Sequence, residues 1–275
     1  MALLLELLKS LILGVVEGIT EWLPISSTGH MILVNEFIGN DGFTASDLYL
    51  YVIQLGAILA VVTLYFHKLN PFSPKKTKAE RADTWQMWFK VIVACVPAGV
   101  IGLAFNDLMD TFENWYVVSA TLILYGIAFL FVEKQNRKTT TTTIRGLSYK
   151  TALLIGAFQV LSIIPGTSRS GSTILGAMIL GCSRAVAAEF SFFLAIPVMF
   201  GVSFLKIVTN DVALTGGDIA ALVLGMVVAY GVSLASIRFL MDYVKKHDFK
   251  SFGVYRIVLG LVVIAYFGVR ALLKL

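Results

Sequence analysis

A chain of 275 residues that is 57% hydrophobic and only 14% charged, with a mean hydropathy of +0.83, is too apolar for a soluble domain, where roughly a quarter of residues carry charge. Its formal net charge of +5 is no nucleic-acid footprint, because the basic residues fall in loops that flank apolar runs. The composition excludes a nucleic-acid partner and places the chain among membrane lipids.

Residues 1–23 form an apolar run in which Ser10, Gly14, Glu17 and Glu21 recur at steps of four, three and four. That spacing lines them on one helical stripe, which must face protein or water. Without a small-residue cleavage site, the run is not expected to be a cleaved signal. Pro24 should stop this helix, and Ser26 or Ser27 should cap a second one that fades by residues 39–42. The second helix is too short to span, so the pair reads as a re-entrant hairpin shielded by protein. Spans are expected at 48–66, 85–105 and 115–132, with Lys90 snorkelling. The polar stretch 133–150 holds a threonine run, Thr139 to Thr143, expected as a flexible linker. A second hairpin at 148–181 and spans at 190–208, 219–241 and 252–269 complete the chain. Arg238 and Arg256 lie towards span ends and are expected to snorkel. His67 and His247 are expected in solvent, and Cys95 and Cys182 as isolated, inert thiols.

A shift of 142 positions superposes the two hairpins. Gly14 falls on Gly156, Glu17 on Gln159, Thr20 on Ser162, Ser26 on Ser168, Gly29 on Gly171 and Asp47 on Glu189, while Pro24 and Pro165 are one residue out of step. A hairpin returns to its own side and three spans do not, so the halves should be inverted. The expected fold is an all-α polytopic membrane protein with six transmembrane helices and two re-entrant helix-loop-helix hairpins in an inverted-topology repeat. It forms one domain, 1–275, with repeat one at about 1–133, a linker at about 134–147 and repeat two at about 148–275. The basic loops 67–84, 133–150 and 242–251 should be cytoplasmic. Connections 40–47, 106–113 and 209–218 and both termini should be external. Helix starts meeting near the midplane would suit an anion.

The polar residues at those starts point to phosphoryl chemistry. Ser26, Ser27, Thr28 and Gly29 open a helix whose N–H groups suit phosphate, with Gly29 allowing close approach. Ser27 and His30, three residues apart, fit a hydroxyl nucleophile beside an imidazole base, and direct attack by His30 fits too. Ser27 is the favoured nucleophile, since it lies beside the phosphate-binding N–H groups. Glu17 and Glu21 share a helical face and become compatible if a divalent cation, Mg²⁺ or Ca²⁺, lies between them and a phosphate. Arg169 brings a fork suited to phosphate oxygens, and Ser168, Ser170, Ser172 and Thr173 add donors.

Glu17-x-x-x-Glu21, Pro24-Ile-Ser-Ser-Thr-Gly-His30 and Pro165-Gly-Thr-Ser-Arg-Ser-Gly-Ser-Thr173 resemble the motifs of the bacterial BacA-type undecaprenyl-diphosphate phosphatases. No motif position departs from the pattern, and the resemblance covers essentially the whole chain. It implies an enzyme of the bacterial cytoplasmic (inner) membrane that removes the terminal phosphate of undecaprenyl diphosphate. The implied site faces outward, requires a divalent metal, serves peptidoglycan synthesis and links to bacitracin resistance. Carried onto this chain, it consists of Glu17, Glu21, Ser27, His30 and Arg169. A homodimer is compatible with this reading. The alternative is a transporter or flippase of polyprenyl phosphate, because inverted repeats are common in transporters. The acid-phosphatase-like lipid phosphatases need a histidine soon after their Ser-Arg motif, and none lies between Arg169 and His247.

Overall fold

The computed structural model describes residues 2–39, 41–104, 114–135, 137–211 and 213–273. The acidic connection expected at 106–113 lies outside them. The first half supplies α1 (Ala2–Thr20), α2 (Ser27–Ile38), α3 (Asp47–Leu64), α4 (Lys78–Ala104) and α5 (Trp115–Lys134). The second supplies α6 (Tyr149–Val160), α7 (Arg169–Ile179), α8 (Arg184–Val208), α9 (Gly216–Tyr243) and α10 (Lys250–Leu273). Six of these, α3, α4, α5, α8, α9 and α10, are long and apolar enough to cross a bilayer. Each half therefore holds three such helices, as expected.

The helix starts follow from capping side chains, which satisfy N–H groups that have no partner in the first turn. Ser46 caps α3, Asn114 caps α5, Ser148 caps α6 and Ser183 caps α8. Thr215 and Asp218 form a capping box on α9. Helix α1 ends at Thr20, a turn before Pro24, because a residue preceding proline is pushed out of the helical region. Ser26 and Ser168 cap α2 and α7 through their side chains, accepting from Gly29 N and Gly171 N. Both have positive φ, 75° and 72°, and they are the only non-glycine residues to do so among those described. Gly39 and Gly181, also 142 apart, have φ of 96° and 89° beyond the far ends of the same helices.

The stripe on α1 is buried at Ser10, Gly14, Glu17 and Glu21. It packs along α9, while its counterpart α6 packs along α4. A Cβ on Gly14 would come within 2.8 Å of Gly225 O, and one on Gly18 within 2.8 Å of Ala229 O. Small residues at steps of four let the two backbones approach closely. Helix α3 lies against α8, and two ion pairs mark their opposed ends, Asp47–Lys206 at 2.8 Å and Glu189–Lys68 at 2.5 Å.

The basic connections gather at one end of the bundle. Arg145 pairs with Asp83 there, Lys90 donates to Arg145 O at 3.0 Å, and Glu133 accepts from Arg184 and from Phe249 N. At the other end Lys9 pairs with Asp41, Glu6 accepts from Thr44 N, and Arg270 pairs with Glu36. His67 and His247 are exposed, and Cys95 and Cys182 are free thiols, as expected. The threonine run corrects the linker expectation. Thr140 N and Thr141 N donate to Gly181 O, Ser183 N donates to Thr141 O, and Thr141 bridges to Cys182. Its backbone groups find partners at the end of α7, so the run is a fastened strap.

Candidate active site

The breaks between α1 and α2 and between α6 and α7 meet inside the bundle. Ser170 Oγ, buried, lies 3.1 Å from Glu21 O and 3.3 Å from Leu23 O, so the start of α7 closes on the first break. Beside that joint runs a polar chain. Ser27 Oγ donates to Glu21 Oε2 at 2.8 Å, and Arg169 Nη2 donates to Glu21 Oε1 at 3.0 Å. Arg169 Nη1 reaches Ser191 O at 2.9 Å, and its guanidinium stands 5.9 Å from the Trp22 ring centre. A carboxylate gripped on one oxygen by a guanidinium fork is held in a fixed orientation. Its second oxygen faces the serine hydroxyl.

A cavity of about 210 Å³ opens on this chain, lined on the α2 side by Ser27, Thr28, Met31 and Asn35, with Glu17 in its wall. Glu17 is 1% exposed, and its Oε1 has no hydrogen-bond partner. Opposite stand Tyr51, Gln54 and Ser162.

The structure thus joins Glu21, Ser27 and Arg169, with Glu17 and Thr28 at the adjoining cavity. It does not join His30 to Ser27. His30 Nδ1 lies 2.7 Å from Ser26 O and Nε2 lies 2.7 Å from Tyr255 OH, with the two rings stacked at 5.6 Å. A carbonyl only accepts, so Nδ1 carries a hydrogen. Positions three apart on a helix are neighbours, yet the His30 ring turns to Tyr255 on α10 while Ser27 turns to Glu21 and the cavity.

Several expected phosphate ligands are engaged within the protein. Ser26 is buried and caps α2, and Gly29 N donates to Ser26 Oγ at 3.3 Å. The missing Cβ of Gly29 makes room for Leu122, 3.3 Å from where it would stand, instead of for a ligand. Ser168 Oγ accepts from Gly171 N and contacts Ser170 Oγ at 3.1 Å. Thr173 Oγ1 bonds Arg169 O and Ser191 Oγ, and Ser172 Oγ donates to Tyr125 OH.

A family profile described as "Bacitracin resistance protein BacA" matches residues 10–262. The chain belongs to that family. It is 56% identical over 275 residues to a protein named undecaprenyl-diphosphatase from Limosilactobacillus fermentum, covering 98% of this chain and 100% of that one. Proteins of the same name from Enterococcus faecalis and Lactiplantibacillus plantarum are 56% identical over 268 and 271 residues. These matches cover 95% and 96% of this chain, and 97% and 98% of those proteins. With its six apolar helices, this member of the BacA family is a multi-pass membrane protein.

Three features escaped the sequence reading. Gln54 and Asn35 line the cavity, and the available signal was an uncharged polar residue within an apolar helix. Tyr255 takes the His30 ring, and no spacing rule links residues 225 apart. Arg256, expected to snorkel, is instead 0% exposed and bonded to both breaks. Its carbonyl partners are far away in sequence, so only the packing of α10 reveals them.

Proposed function

We propose that this chain hydrolyses undecaprenyl diphosphate to undecaprenyl phosphate and inorganic phosphate. The observation that carries the reading is the Ser27–Glu21–Arg169 chain beside a cavity walled by Glu17. Ser27 Oγ attacks the terminal phosphorus and passes its proton to Glu21 Oε2, already 2.8 Å away. The bond from that phosphorus to the bridging oxygen breaks, and undecaprenyl phosphate leaves. Water then cleaves the phosphoserine, returning Ser27 and releasing phosphate. Glu21, not His30, is the base in this reading. His30 holds the start of α2 through Ser26 O and Tyr255. Thr28 and Arg169 are the proposed phosphate contacts, since Ser26, Ser168, Ser170 and Thr173 are engaged elsewhere.

A divalent cation, Mg²⁺ or Ca²⁺, fits this site through Glu17, whose buried Oε1 lacks a partner. Glu21 is already held on both oxygens, and among the described residues no three His, Cys, Asp or Glu side chains gather as a ligand set. One protein carboxylate, with substrate phosphate oxygens and waters completing the shell, is a usual arrangement for Mg²⁺. When bound, the ion would neutralise charge on the phosphate oxygens of the substrate and of the departing undecaprenyl phosphate.

The 142-residue shift relating Ser26 to Ser168 and Gly39 to Gly181 supports two re-entrant hairpins in an inverted repeat. The clustering of basic loops supports a cytoplasmic end there, with the cavity opening outward from the inner membrane. That placement suits recovery of the lipid carrier for cell-wall synthesis. Purified protein in detergent should release phosphate from a long-chain prenyl diphosphate and stop when EDTA removes divalent ions. Lipid binding without phosphate release would replace this reading by the transporter.

A further inference from the structure

Arg256 is fully buried in α10. Nη1 donates to Pro24 O at 3.2 Å, and Nη2 donates to Gly166 O at 2.7 Å and to Thr167 O at 3.0 Å. Its guanidinium carbon stands 5.3 Å from the centre of the Tyr125 ring. Pro24 belongs to the first break and Gly166 to the second, and the two positions are 142 residues apart, the same shift that relates Ser26 to Ser168. One side chain therefore binds equivalent carbonyls in both interruptions.

Broken helices leave carbonyls unsatisfied, and burial away from water makes each one costly. A guanidinium can answer carbonyls lying in different directions because its donors are fixed in a planar fork. An ammonium presents a single point of charge. Ser27 follows Pro24 by three residues, and Arg169 follows Gly166 by three. We infer that Arg256 is a positioning residue that registers the Ser27 end of α2 against the Arg169 end of α7. It sets the alignment of the nucleophile with the Glu21–Arg169 pair and does not meet the substrate. This inference rests on the hydrolytic reading of the site.

The test uses the full-length protein in detergent, with kcat and KM for a prenyl diphosphate and a melting temperature measured on the same preparations. Misplacing reacting groups by about 1 Å costs on the order of 100-fold in rate. Arg256→Lys and Arg256→Gln should both lower kcat more than about tenfold, with a smaller change in KM. If the lysine variant keeps kcat within about twofold while the glutamine variant loses it, charge is what matters and the inference fails. If both keep their kcat and only melt earlier, Arg256 is merely structural and the inference also fails. Gly171→Ala serves where those variants do not fold. Its Cβ would stand 3.2 Å from Arg256 Nη1 and 3.2 Å from Ser168 Cβ, displacing the guanidinium without removing it. A several-fold fall in kcat at an unchanged melting temperature is expected, and full activity would overturn the inference. Wild-type protein that releases no phosphate would defeat the hydrolytic reading instead, a result distinct from active Arg256 variants.

Discussion

At the scale of single residues, the site is arranged around what Glu21 does with its two oxygens. One accepts from Ser27 and the other from Arg169, so the carboxylate is aimed at the serine hydroxyl. His30, a neighbour of Ser27 on α2, turns its ring away to Tyr255. Ser27→Ala should abolish phosphate release, and Glu21→Gln should lower kcat by on the order of 100-fold, as loss of a general base does. His30→Ala should be milder than Glu21→Gln in the same assay. A His30 variant as impaired as the Glu21 variant would return the base role to the imidazole. Arg169→Lys should also lower kcat more than about tenfold, because an ammonium cannot hold Glu21 and Ser191 O together. Activity within a factor of about two would mean that charge alone suffices there.

At the scale of elements, the starts of α2 and α7 share a strained serine cap. Ser26 at φ 75° and Ser168 at φ 72° occupy a region that favours glycine, and each also supplies a capping oxygen. The two effects separate by substitution. Ser26→Ala loses the cap and keeps the strained φ, whereas Ser26→Gly loses the cap and relieves the strain. Losing a cap costs about 1 kcal/mol, and a left-handed non-glycine residue costs about 1–2 kcal/mol. Ser26→Gly should therefore melt close to wild type, and Ser26→Ala should melt measurably lower. The reverse order in a detergent melting experiment would mean that φ carries no strain at this cap.

At the scale of the whole molecule, α10 links the parts. It packs along α5 where Gly126 and Gly253 face one another, a Cβ on Gly126 coming within 2.6 Å of Gly253 O. From the same helix Tyr255 holds His30 and Arg256 holds both breaks. The two ends of the bundle differ in charge, which sets orientation in a membrane. A cysteine replacing exposed Asp41 should react with an impermeant reagent outside intact cells, and one replacing Lys75 should not. Labelling in the opposite pattern would turn the molecule over.

The six apolar helices, the buried α1 stripe and the two breaks follow from local rules, namely hydropathy over a span length, helical spacing, and proline with serine at helix ends. Those rules act within a few residues, so they are legible along the chain. Glu17, Glu21, Ser27 and Arg169 also stood out, because ionisable and hydroxyl groups are costly in apolar surroundings. Which groups meet was decided by packing. Ser27 turned towards Glu21 rather than His30, the threonine run fastened to the end of α7, and Arg256 turned inward to carbonyls 232, 90 and 89 residues away. A buried arginine and a snorkelling one look alike in sequence. The difference lies in whether distant backbone carbonyls converge on its fork, and only the folded bundle brings them there.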